Sequence, residues 1–203
     1  MFEHSMFTGA PSMLLGAVVL GASLAATPAH RAPVPPAAQQ IAAAVLPLPA
    51  EFRATARVLG YDAAGKLTTL REGAGPFTCL ASDPGGEQFH VACYHQSMEP
   101  FMARGRALRA SGIRGEKVDT VRFQEVRAGK LVMPTRPAAL YSLTGGQFDA
   151  AKGTAPGARP LYVVYIPGAT GESTGIATRP AQNTPWIMFP GTPKAHIMFV
   201  PTM

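Results

Sequence analysis

The chain's two cysteines, Cys79 and Cys93, stand at equal distances from residue 86 within FTCLASDPGGEQFHVACYH (77–95). Asp83-Pro84-Gly85-Gly86 is a turn signal between two β-prone runs: Pro presets φ, Gly accepts left-handed angles, and Asp bonds its own backbone. A hairpin folded about residue 86 sets Cys79 opposite Cys93. Opposed antiparallel Cα atoms lie about 4.5–5.5 Å apart, within reach of a disulfide. A Cys79–Cys93 disulfide is therefore expected. The competing arrangement is a metal held by Cys79, His90, Cys93 and His95. It conflicts with strand alternation, which puts His90 on the face opposite Cys93, and its spacing matches no established zinc pattern.

Residues 13–26, MLLGAVVLGASLAA, are apolar or small and lead into Thr27-Pro28-Ala29. Their length and the small residues that follow fit a secretory signal over 1–29, cut after Ala29. A retained N-terminal anchor is the alternative, and the absence of Lys or Arg before Arg31 departs from the usual positive leader. A secreted or periplasmic location agrees with an oxidised cysteine pair. No apolar run reaches the ~20 residues of a membrane span, so none is expected after signal removal.

Charged residues make up 15% of the chain, against ~25% in ordinary soluble domains. The 21 Gly and 20 Pro have no three-residue period, which excludes collagen and reads instead as turns between short elements. Residues 30–50 are rich in Pro and Ala and read as a linker or a surface strap; 51–203 then form a single globular domain. Two strands are expected around Asp62-Ala63-Ala64-Gly65. Ser97 is expected to cap a helix running to about Ala110, with Met98, Phe101, Met102, Gly105 and Leu108 on one face. For 115–128 periodicity does not decide between a helix ending at Gly129 and a strand turning there, and helix is the preferred reading. LVMP, AALYSL, PLYVVYIP, PWIMFP and AHIMFVP read as strands, the third and the last two apolar enough for central positions. The expected class is α+β: a mainly antiparallel sheet of short strands with one or two helices packed on it.

Residues 104–136 carry nine bases against three acids. Arg104, Arg106, Arg109, Arg114, Lys117, Arg122 and Arg127 form a candidate patch for an anionic surface or acidic polymer, the alternative being a solvated face with local ion pairs. Nucleic acid is not expected as a partner, because only Phe123 interleaves with these bases.

The turn Pro190-Gly191-Thr192-Pro193 pairs Met188 with His196 and Trp186 with Met198. These four side chains then share one face, a soft-ligand set suited to Cu(I); core packing explains the same residues. Catalytic signatures such as a G-x-S-x-G elbow, H-E-x-x-H or S-x-x-K are absent, and so is any cofactor motif. GATGESTG (168–175) lacks the Lys and the spacing of a phosphate-cradling loop. The leading expectation is an exported, non-catalytic binding or envelope-interaction domain. A small secreted hydrolase built on His95 or His196 with Ser173 of the 168–175 loop is the alternative. Replacing both cysteines by alanine is expected to lower stability by ~3 kcal/mol from loop closure, read as a lower urea midpoint.

Overall fold

A computed structural model describes residues 33–180 and 183–200. The apolar segment 13–26 and the expected cleavage site at Ala29 lie outside the described residues. In chain order the elements are α1 (Ala37–Ala44), α2 (Ala50–Arg53), β1 (Arg57–Tyr61), β2 (Leu67–Arg71), β3 (Phe77–Leu80), β4 (His90–His95), α3 (Glu99–Ala110), α4 (Glu116–Arg127), β5 (Ala138–Thr144), β6 (Arg159–Tyr165), α5 (Gly171–Thr174), β7 (Trp186–Met188) and β8 (His196–Phe199). The eight strands form one sheet in the order β2-β1-β3-β4-β5-β6-β8-β7, antiparallel except where β3 runs beside β1. The molecule is an α+β domain, and among the described residues no helix is long and apolar enough to cross a membrane.

The DPGG hairpin folds about residue 86 as its symmetry demands. Cys79 pairs with Cys93, Phe77 with His95 and Leu80 with Ala92. The two cysteines are disulfide-bonded, with Cα atoms 3.9 Å apart, and both are fully buried. The Asp62–Gly65 turn joins β1 to β2, where Asp62 Oδ1 accepts from the N–H groups of Ala64 and Lys66 and Gly65 takes φ 74°. From β2 the chain crosses back over the sheet end to place β3 on the other side of β1, in parallel. That crossing depends on glycine: a Cβ on Gly73 would stand 2.3 Å from the Arg57 nitrogen.

Residues 33–50, the described part of the 30–50 segment read from composition as a linker or surface strap, pack into the core instead. Alanine-rich α1 has the strongest helix propensity available, and its small side chains let it lie close on the sheet. Ala44, Val45 and Leu48 pack against Val58, Phe77, Cys79 and Cys93. Gln40 on α1 is buried and doubly bonded to the backbone of Tyr61: its Nε2 donates to the carbonyl at 2.9 Å and its Oε1 accepts from the N–H at 2.8 Å. The amide thereby satisfies backbone groups at the end of β1, a contact that composition cannot register. The folded unit therefore begins well before residue 51.

α3 and α4 cover the opposite face, where Met98, Phe101 and Tyr94 join Ala138, Val163 and Tyr165. The expected face of α3 is the buried one: Met98, Phe101, Gly105 and Leu108 are all inaccessible. A 3-10 turn at Gln96–Met98 precedes the helix, and its cap is His95 rather than Ser97. Residues 116–127 are helical, ending before Gly129 at φ 69°. Two strand expectations differ from the fold. LVMP (131–134) is irregular, because Leu131 and Met133 are spent packing beneath α4. PWIMFP supplies the edge strand β7 and not a central one; its apolar character reflects cover from the 168–178 loop, where the Ile187 N–H donates to the Ala177 carbonyl at 2.8 Å.

Leu48, only 1% exposed, separates a strap from a linker. Leu48→Ala is expected to cost about 3 kcal/mol as a buried truncation, measured by urea unfolding, whereas a linker residue would leave the midpoint unchanged.

Candidate functional site

The α3–α4 hairpin presents the basic segment, and its packing sorts the bases into two groups. Arg104 clamps Glu125 with its Nε at 3.0 and 2.9 Å and its Nη2 at 2.6 Å, tying α3 to α4. Arg106 donates to Glu99 at 2.7 Å and to the Tyr94 hydroxyl at 2.8 Å. Arg122 is buried. It crosses beneath α3 to donate to the Phe101 carbonyl at 3.2 Å, lies 3.8 Å over the Phe101 ring, and pairs with Asp119. Two of the seven candidate bases thus tie α3 to α4, and a third, Arg106, ties α3 to β4. Arg109, Arg114, Lys117 and Arg127 are exposed, and among the described residues no carboxylate lies within ion-pair distance of them.

One carboxylate serves the inner cluster. Asp119 accepts from Arg122 on one oxygen and from the Lys194 ammonium, 2.8 Å away, on the other. Burial pushes its pKa up, but the bonds from Lys194 and Arg122 outweigh burial and hold the carboxyl below its ordinary value. Arg109 has no such partner. Burial and then the positive charge of Arg122 lower its pKa, with Arg106 and Arg114 adding to the effect and Asp119 opposing it. The end of α3 therefore carries positive potential that the chain does not neutralise internally.

The final hairpin has the register its turn implied: Trp186 pairs with Met198, Ile187 with Ile197 and Met188 with His196. Trp186, Met188, His196 and Met198 share the face that meets α3 and α4, and Met198 packs against the Phe101–Val163 cluster. His196 Nδ1 lies 2.6 Å from the Lys194 carbonyl, and its ring centroid is 4.9 Å from that of Tyr165 and 5.8 Å from that of Phe189. The bond to a carbonyl requires the proton on Nδ1 and leaves Nε2 as the free nitrogen. Burial lowers the His196 pKa and raises that of Tyr165 to about 12.

The groups named for a hydrolase stand apart. His95 lies on the strap side of the sheet in a cleft of about 420 Å³ with Arg57, Ser97 and Glu99. Its Nδ1 takes both the Ser97 hydroxyl at 2.8 Å and the Ser97 N–H at 3.2 Å, a local cap at the start of α3. His196 lies on the other face. The 168–175 loop does abut its hairpin, since the Gly168 N–H donates to Thr192 and the Gly191 N–H to Ala169. Ser173, however, forms a reciprocal capping box with Thr170. The four-ligand metal arrangement is also undone, because the disulfide consumes Cys79 and Cys93 and His90 bonds Thr144 at 2.8 Å. Among the described residues no three His, Cys, Asp or Glu side chains gather as a metal site.

Sequence reading did not single out Lys194, placed Gly105 only on the buried face of α3, and counted Asp119 only among the three acids of the basic segment. The i, i+3 spacing of Asp119 and Arg122 was a visible signal; Lys194 joins them from 75 residues away, which no local pattern reveals. Set against known protein families, curated proteins and solved structures, the chain matches none.

The burial of His196 has a pH consequence. Its folded pKa is below the ordinary 6.5, so its contribution to stability is fully present above that value and is lost as pH falls through it. Melting temperature is expected to drop from about pH 6.5 downward, and a His196→Asn variant, which keeps a donor near Nδ1, should show a shallower drop.

Proposed function

We propose that this chain is an exported, non-catalytic binding domain that docks on an acidic polymer through the exposed basic face of α3 and α4. One observation carries the reading: four bases of the helical hairpin remain exposed and unpaired after Arg104, Arg106 and Arg122 have been used in packing. A solvated helical face would be expected to lace its charges with local partners. Here Glu125 and Asp119 are committed to inner arginines, and among the described residues the exposed Glu116 makes no ion pair with the outer bases. The buried Cys79–Cys93 disulfide supports an oxidising compartment. Rigidity suits the role, because the α3–α4 hairpin is clamped from both sides and presents its charges without prior ordering.

Binding of this kind releases counterions and weakens steeply with salt. Purified protein is expected to bind dextran sulfate or polygalacturonate in low salt, with affinity falling as ionic strength rises. An Arg114→Gln/Lys117→Gln/Arg127→Gln variant should bind about tenfold more weakly and with a shallower salt dependence. Equal binding by the variant would overturn the reading, as would binding confined to anionic lipid vesicles.

A further inference from the structure

Where the strap ends, a cleft of about 380 Å³ opens between it and the middle of the sheet. The strap contributes Pro47 and Pro49, β5 contributes Tyr141 and Leu143, β6 contributes Tyr162, and α2 contributes Arg53. Arg53 is held by the strap itself: its Nε donates to the Leu48 carbonyl at 2.8 Å and its Nη2 to the Leu46 carbonyl at 2.9 Å. Those bonds use two of the five guanidinium N–H groups, both on one side edge. The end edge, where Nη1 and Nη2 project together, remains for a two-point contact with a carboxylate. Among the described residues no carboxylate pairs with Arg53, and no acid lines the cleft.

Aromatic side chains lead outward from this cation. Tyr141, Tyr162 and Phe199 are register partners on β5, β6 and β8, in one row across three adjacent strands. Tyr162 and Phe199 are 40% and 39% exposed. Among the described residues the Tyr141 and Tyr162 hydroxyls make no hydrogen bond. A preorganised cation therefore stands at one end of a row that is apolar on its ring faces and hydrogen-bonding at its phenol tips.

We propose that this cleft and the aromatic row leading from it bind a short stretch of a uronate-bearing polysaccharide, with one uronate carboxylate on Arg53 and sugar rings lying along Tyr162 and Phe199. A pyranose ring has hydroxyls on its rim and an apolar C–H face, which matches an aromatic face of negative quadrupole beside phenol groups. The carboxylate supplies the charge that the cleft lacks. A small aromatic acid would satisfy Arg53 but leave the row beyond Tyr162 uncovered. The site lies on the face of the sheet opposite α3 and α4. It goes beyond the basic surface there and shares no residue with it.

The test uses the full chain with trigalacturonate, its methyl triester and benzoate in separate titrations, read by calorimetry. Trigalacturonate is expected to bind saturably, and the ester and benzoate about tenfold more weakly. The ester tests Arg53 without disturbing the strap it holds. Tyr162→Leu, which keeps an apolar group at an exposed position, should weaken trigalacturonate binding about fivefold. The Arg114→Gln/Lys117→Gln/Arg127→Gln variant, altered on the other face, should bind trigalacturonate as the parent does. Absence of saturable binding, equal binding of the ester or of benzoate, or unchanged binding by Tyr162→Leu would end the proposal. Loss of trigalacturonate binding in the triple variant would assign the ligand to α3 and α4 and end it as well. If that variant keeps both trigalacturonate and dextran sulfate binding at the parent's level, the cleft stands and the basic-face reading falls.

Discussion

The Cys79–Cys93 bond lies where the strap, the sheet and the hairpin register meet, and the remainder of the molecule is arranged around it. It joins directly opposed residues of β3 and β4, the two strands that link the β1–β2 ribbon to the β5–β8 half of the sheet. Fixing that pair fixes the register, because a one-residue slip would turn every side chain of β4 to the other face. Val58, Cys79, Cys93, Tyr141, Tyr162 and Phe199 then form one row across six strands. The strap covers the first part of this row. Beyond it Tyr162 and Phe199 emerge at 40% and 39% exposure.

On the other face a charge takes the organising role. Arg122 is a long basic residue in a position that an amphipathic helix would ordinarily give to an apolar one. It is tolerable there because its guanidinium stacks on Phe101, bonds the Phe101 carbonyl and pairs with Asp119, which offset much of the cost of burying the charge, while its Nε stays buried with no hydrogen-bond partner among the described residues. The consequence reaches the surface. With Asp119 occupied by Arg122 and Lys194, and Glu125 by Arg104, two of the three acids of the segment are spent inside and Glu116 is the one left exposed. The outer face is left basic, and a domain that uses its carboxylates as internal clamps acquires an unbalanced exterior without any long run of like charge.

Much of this was legible in the chain. The hairpin symmetry about residue 86, the register of Trp186 with Met198 and the buried face of α3 all follow from turn chemistry and periodicity, which act over a few residues, whereas periodicity left 115–128 open between helix and strand. The strap's place in the core was missed because composition describes what Pro and Ala permit, whereas Gln40 and Leu48 are held by Tyr61 and by the disulfide core. LVMP was misread for a related reason: an apolar run declares that it will be buried but not in what conformation. The site was half seen. The basic segment stood out by count, while the division between clamping and free arginines needed the positions of Glu99, Glu125 and Lys194.

What the amino-acid sequence determined by itself is therefore local: the turns, the pairing of the two cysteines, the face each helix buries and an excess of positive charge in one segment. Only the tertiary structure decided which charges are cancelled, that a helical strap closes one side of the sheet, and that Arg53 meets Tyr141 and Tyr162 in one cleft. The physical reason is range. Turn preferences and periodicity act between neighbours, but ion pairing and burial depend on distances in space, and Asp119 meets Lys194 only once the three strands and one short helix between them in the chain have assembled.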